Sequence, residues 1–345
     1  MKLNKENLEK YFKPENFFSR DLSWLEFNKR VLEEAMDPQL PVLERIKFIS
    51  IYFTNLDEFY MIRVSGIKEQ IRANIIEQRI DGLTPYEELN FIQKEVIPQV
   101  ELLLKYWNTV IIPELEENNI TFVKYSELNP DEIEKLHQYF NKEIFPVLTP
   151  LAFDPGRPFP YISNLSLSLA IQVMKSNGQL HFARLKIPAI LPRIVQLDGI
   201  LSKDNLKSNG SFSAKLIWLE DLIKNNLNEL FPGLEIISAH KFRITRNADL
   251  NIQEDEADDL LSVIEENIKQ RKFGSVVRLA VEKDMPELMI NILTENLEIS
   301  DYEIQVVDGP MGLSSVMSLY DLPLPHLKQQ SFYPVLPPVF DDEER

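Results

Sequence analysis

Long stretches between residues 20 and 118 lack glycine and proline and repeat apolar side chains at helical spacing. That pattern confines the first third of the chain to long packed helices. Ser23 and Glu26 have capping-box spacing, which predicts a helix opening there and running to about Met36. Its buried stripe would be Trp24, Leu25, Val31, Leu32 and Ala35. Pro38 and Pro41 break the chain, and Pro41 suits the first turn of a second helix. This second pattern runs from Val42 towards Ile80, with a bend expected near Thr54–Asp57 or Gly66. Asp81-Gly82 punctuates it, and a third helical segment reaches from Pro85 to about Asn118, bent or divided at Pro98 and Pro113. An all-α N-terminal domain over residues 1–118 is expected.

After Pro130 the texture changes. A helix from about Asp131 to Glu143 precedes a proline-rich aromatic stretch. Leu165–Met174 and Leu180–Ile187 alternate as a strand pair around the turn residues Ser176-Asn177-Gly178-Gln179. Ser213–Leu230 reads as helix, stopped by Phe231-Pro232-Gly233. His240–Arg246 reads as a half-buried strand, Asp255–Lys272 as a helix, Val276–Glu282 as a strand, Pro286–Leu297 as a helix and Glu303–Val307 as a strand. Such an order indicates an α+β or α/β unit.

The chain's 345 residues accommodate two or three domains. With 54 acidic against 37 basic residues the formal net charge is −17, which argues against general binding to nucleic acid or anionic lipid. No cysteine is present, so disulfides and cysteine–metal sites are excluded. Met1–Lys13 lacks the apolar core of a signal peptide, and no run of about 18 apolar residues suggests a membrane span. A soluble cytoplasmic protein is expected.

Local charge is uneven. Residues 251–266 hold seven acids and no base, whereas residues 269–278 hold four bases and no acid. Helix-end electrostatics accounts for much of this. It does not cover Arg243, Arg246 and Arg278, which lie on or beside strands and off their apolar face. With Arg271 and Lys272 they could form a cationic groove for a phosphate-rich ligand, or they could be solvated arginines at a sheet edge.

Thr-Asn-Leu-Asp-Glu-Phe at 54–59 interrupts a strong helical run with poor helix formers. Asn55 offers the donor and acceptor needed to read a nucleobase edge, or it caps a kink. Asp57 and Glu58 could be a solvated pair at the start of the next helix. No P-loop, Gly-x-Gly-x-x-Gly pattern, protein-kinase signature or nucleophile elbow occurs. The four histidines, His137, His181, His240 and His326, are not spaced to chelate a metal together. Neither a catalytic centre nor a metal site is therefore expected within this chain.

Several blocks together resemble the bacterial polyphosphate kinase family. They are FFSRDLSWLEFNKRVLEEA at 17–35, ERIKFISIYFTNLDEFYMIRVSGIK at 44–68, and TPLAFDPGRPFPYISNLSLSLAI at 149–171. FRITRNADLNIQEDEADDLL at 242–261, RKFGSVVRLAVE at 271–282 and DGPMGLSSVMSLYDLPLPHLK at 308–328 follow in family order. Arg157, Met311-Gly312 and Leu322-Pro-Leu depart from the usual family text.

The resemblance implies an all-α helical N-terminal domain at 1–118 and an α+β head domain at 119–328 that mediates homodimerisation or higher assembly. Residues 329–345 would begin the first phospholipase-D-like catalytic domain. The implied reaction is reversible transfer of the ATP γ-phosphate to inorganic polyphosphate through a phosphohistidine that lies outside this chain, as do the Mg²⁺ ligands. ATP or ADP and polyphosphate are the implied partners, without nucleic acid and without a transmembrane segment. Location would be cytoplasmic, with peripheral membrane association open. By resemblance Asn55 contacts ATP, and Phe48 and Ile49 fall at the wall of the adenine pocket. Arg243, Arg246, Arg271, Lys272 and Arg278 are an extrapolation from charge towards polyanion binding. The alternative is a stand-alone, non-catalytic module for nucleotide or polyphosphate binding or for dimerisation.

Overall fold

The computed structural model describes residues 11–153, 159–201, 212–248, 274–330 and 332. Helix α1 spans Arg20–Ala35 and opens one turn before Ser23, because Ser19 is the residue that caps it. The Ser19 Oγ accepts the Leu22 N–H at 3.2 Å, while the Ser23 hydroxyl donates back to the Ser19 carbonyl at 2.7 Å. Helix α2, Val42–Phe59, passes through Thr54–Asp57 without a break. A single π-turn at Tyr60–Val64 then leads into α3, Ser65–Arg72, so the irregularity falls between the two expected places.

Thr84 and Glu87 form a reciprocal capping box at the start of α4, Pro85–Tyr106. Pro98 lies inside α4 and does not divide it. Division comes at a second π-turn, Trp107–Ile111, before α5, Ile112–Glu117. Pro113 cannot donate a hydrogen bond and its ring crowds the carbonyl four residues back. The widened turn supplies that room.

Strand β1, Ile120–Phe122, and α6, Pro130–Tyr139, lead into the sheets. Strands β2, Pro150–Phe153, β3, Leu167–Met174, β4, Leu180–Lys186, and β5, Ile194–Gln196, follow. The expected helix over 213–230 needs correction in its first part. Ala214–Trp218 is strand β6, parallel to β1 and antiparallel to β5, whereas helix α7 at Leu219–Asn225 and a further helical turn at Leu227–Leu230 fill the rest. Next come β7, Glu235–Arg246, β8, Val276–Glu282, α8, Glu287–Leu297, and β9, Ile304–Val307. The larger sheet has the order β2-β4-β3-β7-β8-β9, antiparallel except for the β8–β9 pair, which α8 connects. The helix expected over 255–272 lies outside the described residues. A helical N-terminal region followed by an α+β unit is thus the architecture.

Alternation along the strands sorts the sheet's two faces. Phe242, Ile244, Leu279 and Val281 pack with Met289 and Leu293 of α8 in one apolar cluster. Leu167, Leu169, Ile171 and Ala239 belong to the other, which is continuous with the helical core of Leu25, Ile49, Leu56 and Trp107. Arg243, Thr245 and Arg278 therefore stand on the sheet face that the N-terminal helices cover. Arg246 falls by the same alternation on the opposite face, with Phe242 and Ile244, and pairs with Val276 across a register shift.

Candidate functional site

Asp57 is the carboxylate that joins the two regions. It sits near the end of α2 and is 5% exposed, whereas its neighbour Glu58 points to solvent. Arg243 of β7 grips it with two bonds, Nη1 to Oδ1 at 2.8 Å and Nη2 to Oδ2 at 2.7 Å. Arg278 of β8 adds a third, Nη2 to Oδ1 at 2.5 Å. Burial alone would push the Asp57 carboxyl up. Arg243 and Arg278 overcome that and hold it below the usual aspartate value.

Each arginine is itself held. Arg243 Nε donates to the Leu165 carbonyl at 3.2 Å, and Arg278 donates to Thr245 Oγ1. The Arg278 guanidinium also lies 4.4 Å from the centroid of the Tyr60 ring, at the start of the first π-turn. A second tie between the regions is the buried pair of Lys68 and Glu303, with Lys68 Nζ also donating to the Val276 carbonyl at 3.1 Å. Asp57 is thus no solvated partner of Glu58 but the centre of a two-arginine clamp.

Asn55 lies on the same helix, half-buried, at the seam with α1. Its Nδ2 donates to Asn28 Oδ1 at 3.1 Å, and Asn28 Nδ2 donates to the Tyr52 carbonyl at 3.3 Å. A carbonyl can only accept, so the Tyr52 bond fixes which way the Asn28 amide points. Asn28 in turn fixes Asn55. Asn55 is left with its Oδ1 and one N–H for an outside partner. Asn28, 1% exposed, was not foreseen from sequence; a buried asparagine in the middle of an apolar helix stripe was the available signal. Phe48 is half-buried two helical turns before Asn55, on the same face. Ile49 is fully buried in the helical core, so it supports that surface from behind and does not line it.

The expected cationic groove needs narrowing. Arg243 and Arg278 are 9% and 7% exposed and share Asp57, so one of their two charges is matched internally and neither side chain is free at the surface. Arg246 stands apart, donating to the Ile162 and Gly274 carbonyls and lying over the Tyr161 ring. It borders a cavity of about 550 Å³ together with Arg72. Arg243 borders a different one of about 480 Å³, with Lys186 and Arg193. Arg271 and Lys272 lie outside the described residues, as does Arg157.

Among the described residues, one group could gather metal-ligand atoms: His240, Glu282 and Asp284. It does not suit Mg²⁺, which prefers an all-oxygen octahedron, because one ligand is an imidazole nitrogen. Among the described residues no helix is long and apolar enough to cross a membrane.

Fold and site together define a two-part chain, a helical region clamped through a buried carboxylate to a mixed-sheet unit. Residues 17–123 match the polyphosphate kinase N-terminal domain and residues 131–319 the polyphosphate kinase middle domain. Polyphosphate kinase 1 of Chlorobaculum tepidum is 47% identical over 323 residues, covering 93% of this chain and 46% of that protein. Polyphosphate kinase of Prosthecochloris aestuarii is 46% identical over 333 residues, covering 96% and 46%. The crystal structure of polyphosphate kinase from Porphyromonas gingivalis superposes with a TM-score of 0.76 at 28% identity, over 94% of this chain and 44% of that one. The chain belongs to the polyphosphate kinase family. It corresponds to the N-terminal half of these relatives and spans just under half of their length.

Proposed function

We propose that this chain forms the nucleotide-recognition half of a polyphosphate kinase that reversibly transfers the ATP γ-phosphate to polyphosphate. The observation that carries the reading is the oriented Asn55 amide. Held through Asn28, it offers outward one acceptor and one donor, the pair that matches the amino group and adjacent ring nitrogen of adenine. Phe48, on the same face of α2, supplies apolar surface beside it.

Chemistry falls to residues outside this chain. No histidine here sits in a nucleophile arrangement that the sequence identifies, and no step is assigned to Mg²⁺ on these residues. The 345-residue chain by itself is therefore expected to form no phosphohistidine from labelled ATP. Assembly as a homodimer or larger homo-oligomer through the α+β unit belongs to the same proposal and is read by sedimentation.

Replacing Asn55 with Ala in the intact enzyme tests the reading. Loss of a two-bond base contact of about 1–3 kcal/mol corresponds to a roughly 5–150-fold higher KM for ATP. The change falls in KM more than in kcat, because the contact is remote from the transferred phosphate. Asn28→Ala is expected to move KM in the same direction by less, since it removes only the orientation. An unchanged KM for ATP in Asn55→Ala defeats the assignment.

A further inference from the structure

His240 projects from β7 near the corner where β8 turns towards α8. It is 8% exposed, and its Nδ1 is fully buried without a hydrogen-bond partner. Two carboxylates face that nitrogen. Glu282 Oε2 lies 3.7 Å away and Asp284 Oδ1 3.8 Å away, and the ligand atoms of all three side chains lie within 4.8 Å of one another. The separations from the nitrogen are too long for hydrogen bonds. A lone buried imidazole nitrogen beside two acids requires either a proton or a cation to satisfy it.

We propose that His240, Glu282 and Asp284 form a binding site for a divalent transition cation of the Zn²⁺ type. Ligand bonds of about 2.0–2.2 Å around such an ion place neighbouring ligand atoms roughly 3.0–3.6 Å apart. The two separations from His240 need only a few tenths of an ångström of contraction, and the exposed Asp284 side chain is free to make the larger movement that brings it to Glu282 from within 4.8 Å. A mixed nitrogen and oxygen set is also what separates Zn²⁺ from Mg²⁺.

The backbone around the three ligands is already tied down. Met285 N–H donates to the Glu282 carbonyl at 3.0 Å, closing the turn that carries Asp284 back beside Glu282. Lys283 N–H donates to the Val307 carbonyl, anchoring the same turn to β9. Glu282 is oriented by Lys241, whose backbone N–H donates to Oε2 at 3.0 Å and whose Nζ lies 3.2 Å from Oε1. This leaves Oε2 a second lone pair for a metal.

Among the described residues, Lys224 is the further cation near the carboxylate, 3.9 Å from Oε2 and 37% exposed at its side chain, so it can swing into solvent when the ion enters. Asp284, 78% exposed, gives the entry path and completes the three-ligand set, with a fourth position left to water. The bound ion would pin β7 to the β8–α8 corner of the sheet.

Zn²⁺ titration calorimetry on the tag-free, chelator-stripped chain tests the site, with Asp284→Asn and His240→Gln alongside. Asp284 is exposed, so its substitution leaves the fold intact, and a thermal melt without metal verifies this for both variants. One equivalent of Zn²⁺ is expected for the unsubstituted chain. Loss of either ligand should weaken binding by more than the roughly 10–100-fold that loss of an outer partner costs. Co²⁺ should give the visible absorption of a four-coordinate site, which both substitutions abolish. Equal Zn²⁺ affinity in the unsubstituted chain and in both variants would overturn the proposal, as would no binding at millimolar Zn²⁺ or equal binding of Mg²⁺.

Discussion

Asp57→Asn should loosen the junction between the helical region and the sheet. The substitution keeps shape but removes the carboxylate that Arg243 and Arg278 share. An amide oxygen can still accept from one guanidinium, and the amide nitrogen then faces the other as a second donor. Two buried cations are left without their counter-charge, and breaking a buried pair in this way costs about 3–5 kcal/mol. At about 2–4 °C per kcal/mol for domains of 150–250 residues, and less for a longer chain, Tm should fall by roughly 5–10 °C.

The assay is thermal unfolding followed by far-ultraviolet dichroism and by tryptophan fluorescence, since Trp24 stacks on Phe59 beside the junction. Glu58→Gln, one residue along and exposed, is the control and should stay within about 0.5 kcal/mol. The pH dependence has a definite sign. Because the folded Asp57 carboxyl lies below its ordinary value, its contribution is present above the unfolded value of about 3.9 and is lost as pH falls through the folded one. Asp57→Asn should accordingly flatten the acid limb below about pH 4. Replacing Asp57, Arg243 and Arg278 together with Leu, Met and Met should recover most of the loss, since no charge is then left buried. A Tm within about 1 °C of the unsubstituted chain together with an unchanged acid limb would refute the clamp.

Two further substitutions probe the local readings. Ser19→Ala removes the cap of α1 and the 2.9 Å hydrogen bond to Glu88, and should cost about 1–2 kcal/mol in denaturant unfolding; Ser23→Ala should cost less. Gly274→Ala would bring a methyl group to 2.1 Å from the Asn247 carbonyl oxygen, so the backbone must shift. Faster amide exchange at Asn247, whose N–H bonds to the Ser275 carbonyl, together with a lower Tm, is the expected result.

Helical periodicity made the N-terminal architecture legible because those contacts are local and repeat every few residues. The same reasoning failed at Ala214–Trp218, where a short apolar run satisfies both helix and strand patterns. Its pairing with Ile120–Phe122, some 90 residues earlier, decides the matter, and no local signal encodes that partner. The two π-turns between Tyr60 and Ile111 were equally hidden. One lies ahead of Pro113, where proline gave a hint of trouble but not its form, and the other follows Phe59 with no proline nearby. Strand alternation did place Arg243 and Arg278 off the apolar face. What it could not show is that the opposite face is covered by α2, which turns two apparently free cations into partners of Asp57.

That outcome explains why Asn55-Leu56-Asp57 can stand in the middle of a helix that propensity alone disfavours. Residues two apart on a helix point some 200° from each other. Asn55 therefore meets Asn28 of α1 at the outer seam, while Asp57 meets the arginines of β7 and β8 on the opposite side. Each poor helix former has a tertiary partner that offsets its local cost of a few tenths of a kcal/mol. Leu56 between them is fully buried and holds the turn in the helical core. One turn of α2 thus carries both the oriented amide and the clamp to the sheet. Any shift of α2 that moves Asn55 relative to Asn28 must also move Asp57 within its three hydrogen bonds. The double substitution Asn55→Ala with Asp57→Asn should then show non-additive effects on stability, whereas independent roles would give a simple sum.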